Sequence, residues 1–168
     1  MIGAAVPLGG VEEVGVEFGV DAGEEAVTEH ERAFELDQET WDLLVEHAWS
    51  DHPYEVCGLL GTRADGTHRH YPIDNADRSV TTYTMDGKQL LRAMREIEDE
   101  GWELAIYHSH THTHAYPSET DIRLAAYPEA TYLIVTLQDR DHPDIRAFRI
   151  RDGEVTEREI VRLDRQVA

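Results

Sequence analysis

Two apolar runs constrain the fold more than any other feature: "WELAIYHSH" (102–110) and "TYLIVTLQ" (131–138). Both read as strongly buried strands. Strands and helices alternate around them. Asp37 can cap a helix in which Trp41, Leu44, Val45 and Ala48 fall on one stripe. "VCGLLGTRADGTHRHYPI" reads as strand, Asp65-Gly66 turn and strand, and "VTTYTM" as a further strand. Asp86 followed by Gln89 resembles a capping box for a helix that buries Leu90, Met94 and Ile97 and stops at Gly101. "IRAFRIRDGEVTEREIV" reads as a hairpin turning at Asp152-Gly153. The order predicts one α/β domain with a central mixed β-sheet flanked by helices.

A chain of 168 residues has room for one such domain and too little for two. Residues 1–33 are rich in Gly, Val and Glu and have no periodic apolar face. They predict a flexible acidic extension, with a short strand added at the domain edge as the alternative, and residues 34–168 form the domain. The start of the chain lacks the basic residues and uninterrupted apolar core of a signal peptide, and no run is long enough to span a membrane. Both observations predict a cytoplasmic protein. The net charge of -20 argues against nucleic acid or an anionic membrane as partner, because counterion release needs Lys and Arg patches. Cys57 is the only cysteine, which excludes an internal disulfide and a thiolate metal cluster. It is expected in the core as a small hydrophobe. A metal site in this chain must use His, Asp or Glu.

The first buried run leads into "YHSHTHTHAYPSETD" (107–121), where His108, His110, His112 and His114 occupy every second position. Catalytic zinc usually has three protein ligands and one position open to water. Histidines two apart at the end of a strand point the same way, so His108 and His110 can share an ion while Ser109 faces the other side. A third ligand must come from another element. Ser118 sits where a helix N-cap would be, and Asp121, three residues on, places a carboxylate on the first helical turn. Each feature also has an ordinary reading. Ser118 with Asp121 can be a plain helix cap, and an alternating His run can be solvated or a fortuitous metal tract.

Taken whole, His108-Ser109-His110, seven residues, then Ser118-x-x-Asp121 resembles the JAMM (MPN+) metalloprotease motif, H-[ST]-H-x7-S-x2-D. Such enzymes combine that motif with an upstream glutamate, which here corresponds to Glu55 in "HPYEVCGLLG". The similarity extends from about Phe34 to Ile160. It implies the JAMM/MPN, cytidine-deaminase-like fold, one Zn²⁺ per chain on His108, His110 and Asp121, Glu55 as general base, and Ser118 steadying the oxyanion. Those roles are chemically coherent. Zinc lowers the pKa of a water towards about 7, a carboxylate can take and return its proton, and a hydroxyl can stabilise the developing negative oxygen.

One position departs from the pattern: most members have proline after the second histidine, and this chain has Thr111. In that respect the sequence is similar to the stand-alone actinobacterial branch, as are "NADRSVTTY" and "RIRDGEVTE". That branch removes cysteine from the C-terminal glycine of a ubiquitin-like sulfur-carrier protein. The resemblance therefore implies such a carrier, ending in Gly-Gly, as partner and substrate. The alternatives are an isopeptidase that frees protein lysines of a ubiquitin-like modifier and a non-catalytic MPN scaffold. A zinc deaminase is excluded by the single cysteine. Thr111, His112 and His114 are candidates for lining the substrate mouth. The resemblance places Asn75 and Ser79 near the cleft, as candidates for substrate contact.

Overall fold

The two apolar runs lie side by side and parallel near the middle of a sheet. The computed structural model describes residues 33–164. In chain order the elements are β1 (Ala33–Asp37), α1 (Gln38–Ser50), β2 (Cys57–Thr62), β3 (His68–Ile73), α2 (Gly87–Asp99), β4 (Glu103–His110), α3 (Glu119–Leu124), β5 (Thr131–Thr136), β6 (Asp144–Arg151) and β7 (Glu154–Leu163). The sheet order is β1-β7-β6-β5-β4-β2-β3. The β1–β7 and β4–β5 pairs are parallel and the rest antiparallel, so the sheet is mixed. A parallel pair cannot be joined by a tight turn, so the chain must cross over between β4 and β5. The second half of the histidine run, with His112 and His114, and α3 occupy that crossover.

Alternation along the strands supplies a core on each side. On one face Leu44 and Ala48 of α1 pack with Leu60, Ala105, Tyr107, Leu133 and Val135. On the other, Ala93 and Ile97 of α2 pack with Leu59, Ile106 and Ile134. By the same parity His108 and His110 share the face of Ile106, and Ser109 points the other way. Cys57 is fully buried. Burial, together with the nearby Asp74, Glu55 and Asp77, pushes its thiol up to about 12, which makes it inert.

Tyr107 fixes a close approach within the first core. Its hydroxyl lies 2.6 Å from His47 Nδ1 and 2.7 Å from His70 Nε2. The single phenol proton serves one imidazole, so the other must donate to the phenol oxygen. Burial, and then the neighbouring His47, lowers His70 to about 4, keeping it neutral. Gly58 faces Tyr107 across the β2–β4 ladder. A Cβ there would sit 2.5 Å from the Tyr107 ring, its hydroxyl and the Tyr71 carbonyl oxygen. Gly58→Ala is therefore expected to cost about 1–3 kcal/mol through overpacking, read as a lower urea midpoint with unchanged slope.

Asp37 caps α1 through Thr40, and the Asp65-Gly66 and Asp152-Gly153 turns stand as expected, with Gly66, Asp152 and Gly153 at positive φ. Two expectations change and one element is added. "VTTYTM" forms no strand: beyond one isolated bridge, Asn75 with Met85, it pairs with no neighbour among the described residues. The Asn75 side chain instead meets its backbone at Thr82 and Thr84. Gln89 does not complete a capping box, because its amide is committed to Asp74 while Asp86 alone caps α2. Ala33–Asp37, to which the sequence pattern assigns no element, forms β1 against β7. The acidic extension expected over residues 1–33 lies, apart from Ala33, outside the described residues. No helix among the described residues is long and apolar enough to cross a membrane.

Candidate metal centre

His108 and His110 close β4, where the chain turns into the crossover. The antiparallel register pairs Cys57 with His108, and carried two residues outward it sets Glu55 opposite His110. Ser109, fully buried, locks this junction: its hydroxyl accepts from Val56 N–H at 2.9 Å and its own N–H donates to Val56 O at 3.0 Å. The middle residue of the H-S-H triplet thus ties the ligand strand to the residue after Glu55.

The third donor arrives with α3. Ser118 caps this helix by accepting from Asp121 N–H at 3.1 Å, while Asp121 Oδ2 accepts from Ser118 N–H at 2.7 Å. The capping box therefore aims the Asp121 carboxylate. Asp121 Oδ2 lies 3.3 Å from both His108 Nε2 and His110 Nε2, and the two Nε2 atoms are 3.0 Å apart. An ion held tetrahedrally about 2.0–2.1 Å from each donor sets donor–donor edges of about 3.3 Å. The triangle fits a small cation such as zinc, and these three residues form the group among the described residues that could hold one.

The two imidazoles are held differently. His110 Nδ1 meets the His114 carbonyl oxygen at 2.9 Å, which fixes the tautomer with Nε2 facing the triangle. His108 Nδ1 is buried without a hydrogen-bond partner among the described residues, and its ring stacks on Tyr83 at 4.6 Å between centroids and 26° between planes. Burial presses His108 towards its neutral, ligating form, against the pull of Asp121. In His110 burial acts in the same direction, but bonds to Asp121 and His114 outweigh it and raise the pKa. Burial also opposes ionisation of Asp121. Hydrogen bonds from His108, His110 and Ser118 outweigh it and hold the carboxyl well below its usual range.

Glu55 is only 5% exposed. Burial raises its carboxyl to about 7, with His110 opposing and Asp121 reinforcing. A carboxylate poised there can exchange a proton at neutral pH. Beside the centre lies a depression of about 390 Å³ walled by Tyr83, Leu124, Tyr132, Ile134 and Ile150, with His108 and Asp121 at its margin.

The structure brings together Glu55, His108, His110, Ser118 and Asp121, leaves the side chains of Thr111, His112 and His114 outside that group, and bonds Asn75 and Ser79 to the Glu55 backbone. Thr111 is buried, its hydroxyl 2.7 Å from His112 Nδ1. His112 is exposed, with its ring 5.8 Å from that of His52. His114 is also exposed and serves the site through its backbone. His114→Ala is accordingly expected to leave metal affinity unchanged, measured by competition with a chromogenic chelator. Asn75 and Ser79 lie on the loop behind Glu55, whose N–H donates to Ser79 O. Tyr83 and Ser109 were not marked as site residues from sequence. The alternation that points Ser109 away from the two imidazoles is visible in the sequence, but nothing in the pattern signals the Tyr83 stack.

Residues 37–151 match the family described as prokaryotic homologs of the JAB domain. The chain is 44% identical over 119 residues to the CysO-cysteine peptidase of Mycobacterium tuberculosis, covering 69% of this chain and 82% of that protein. It is 34% identical over 100 residues to the desampylase of Haloferax volcanii, covering 56% and 71% respectively. A solution structure of a Desulfitobacterium hafniense protein superposes with a TM-score of 0.69 at 36% identity, covering 77% of this chain and 92% of that one. The matched span contains both histidines, Asp121, Ser118 and Glu55, and on these grounds the chain belongs to the JAB domain family of prokaryotes.

Proposed function

We propose that the chain is a cytoplasmic, zinc-dependent peptidase that hydrolyses the bond after the C-terminal Gly-Gly of a ubiquitin-like sulfur-carrier protein, releasing cysteine. The observation that carries this reading is the convergence of His108, His110 and Asp121 on one triangle, with the buried Glu55 set opposite His110. The likeness to a CysO-cysteine peptidase supports the substrate class. A zinc ion bound there supplies Lewis-acid chemistry: an acidified water at neutral pH and a polarised carbonyl.

The protein's own groups do the rest. Glu55 takes the proton of the attacking water as its oxygen bonds to the glycine carbonyl carbon. It then passes that proton to the amine as the C–N bond breaks. Ser118 Oγ already accepts from Asp121 N–H, so its hydroxyl hydrogen remains to donate to the negative oxygen that develops. A substrate segment seated in the largely apolar depression lined by His108 and Asp121 would shield one side of the centre from water.

A second reading, removal of a ubiquitin-like modifier from protein lysines, is favoured by the likeness to a desampylase. The two are separated by offering the zinc-loaded protein a carrier ending in Gly-Gly-Cys and the same carrier joined to a lysine side chain, and following both by mass. Faster loss of a single cysteine from the first supports the proposal. Faster cleavage of the isopeptide would replace it with the second reading.

A further inference from the structure

We propose that Asn75 is a positioning residue for Glu55: its side-chain amide fastens the loop 75–85 to the backbone of the base. This rests on the role given to Glu55 above.

Asn75 follows β3, and its amide makes four hydrogen bonds. Nδ2 donates to Glu55 O at 3.0 Å and to Thr82 O at 3.1 Å. Oδ1 accepts from Asp77 N–H at 3.1 Å and from Thr84 N–H at 3.0 Å. Both amide hydrogens and both carbonyl lone pairs are thereby used, which leaves no polar capacity for a substrate. The loop closes around this amide, with Ala76 N–H donating to Thr84 O at 2.8 Å and Arg78 N–H to Asn75 O at 3.2 Å.

Glu55 precedes β2, so no ladder holds it. Its N–H donates to Ser79 O at 2.9 Å and its carbonyl accepts from Asn75, so both of its backbone polar groups are held by the same loop. Among the described residues nothing hydrogen-bonds its carboxylate, so the backbone sets where that carboxylate stands. On the other side Val56 is clamped by Ser109, between the two histidine donors. Glu55 is thus held from two directions, and Asn75 supplies the one that does not involve the ligand strand.

The experiment uses the full chain with Asn75→Ala and Asn75→Asp. The second keeps the side chain's shape and its two accepting contacts, but sets an oxygen against the Glu55 and Thr82 carbonyls; it serves if the first does not fold. For the folded variants we expect kcat for cysteine release to fall about a hundred-fold, the cost of a small misplacement of a catalytic group. KM and zinc affinity are expected to stay at the wild-type values. Combined with Glu55→Gln, either change is expected to add no further loss, because Asn75 acts through Glu55. In the zinc-free protein the Glu55 amide is expected to exchange with deuterium faster in Asn75→Asp, while the β4 amides keep their protection.

A raised KM with kcat intact would overturn the proposal in favour of substrate contact. So would loss of zinc, full additivity with Glu55→Gln, or unchanged protection of the Glu55 amide. If the wild-type protein released no cysteine at all, the peptidase reading would fail instead. Hydrogen exchange would still decide whether Asn75 holds Glu55.

Discussion

Glu55→Gln is expected to retain the metal and to slow hydrolysis by about 10²–10⁴-fold, the usual worth of a positioned acid–base group. The substitution preserves shape and both backbone tethers, N–H to Ser79 and carbonyl to Asn75. It leaves His108, His110 and Asp121 untouched and removes only the capacity to carry a proton. The check is metal content beside turnover of a Gly-Gly-Cys substrate. The same group sets the acid side of the pH profile. With burial holding the carboxyl near 7, lowering the pH through neutrality protonates Glu55 and removes the base, so the rate is expected to fall. A bound dication favours the carboxylate and displaces that fall to lower pH. In the metal-free protein the raised pKa stabilises the fold below the unfolded value, and this contribution is lost as pH rises through about 7. Asp121 acts in the opposite direction. Its lowered pKa gives stability above the usual carboxylate range that is lost as pH falls below it.

His108→Ala is expected to abolish tight metal binding, with an affinity loss of more than about 100-fold, the upper end of what losing a hydrogen-bonding partner to a ligand costs. His108 contributes one corner of a triangle with sides of 3.0, 3.3 and 3.3 Å, so the variant leaves two donors. His112→Ala and His114→Ala alter the same sequence run and are expected to leave the affinity unchanged. A zinc titration against a competing chelator compares all three. Equal losses in the three variants would mean that the histidine run binds metal collectively.

The contrast between those variants marks what the sequence could disclose. Selecting two of four alternating histidines depended on the downstream Ser118 and Asp121. In sequence these raised a competing reading, an ordinary helix cap. The structure unites the two, because the cap itself turns Asp121 Oδ2 towards His108 and His110. The sheet was legible for a similar reason: the runs at 102–110 and 131–138 have no plausible place except its buried centre.

What the sequence hides rests on contacts made outside any regular element, some of them local and some long-range. The β-branched "VTTYTM" looks like a strand, yet its backbone meets one asparagine side chain at Thr82 and Thr84 rather than a neighbouring strand. His114 looked like a side chain in search of a role and contributes a carbonyl oxygen. Tyr83 stacks on His108 from the same irregular loop. Periodicity records which face a residue occupies, and none of these contacts has a period.

The most direct test titrates zinc into chelator-stripped protein while following release of cysteine from a carrier ending in Gly-Gly-Cys. No release is expected at the start, then a linear rise and a plateau at one equivalent of zinc per chain. Full activity in the stripped protein, or one equivalent bound without release of cysteine, would contradict this expectation.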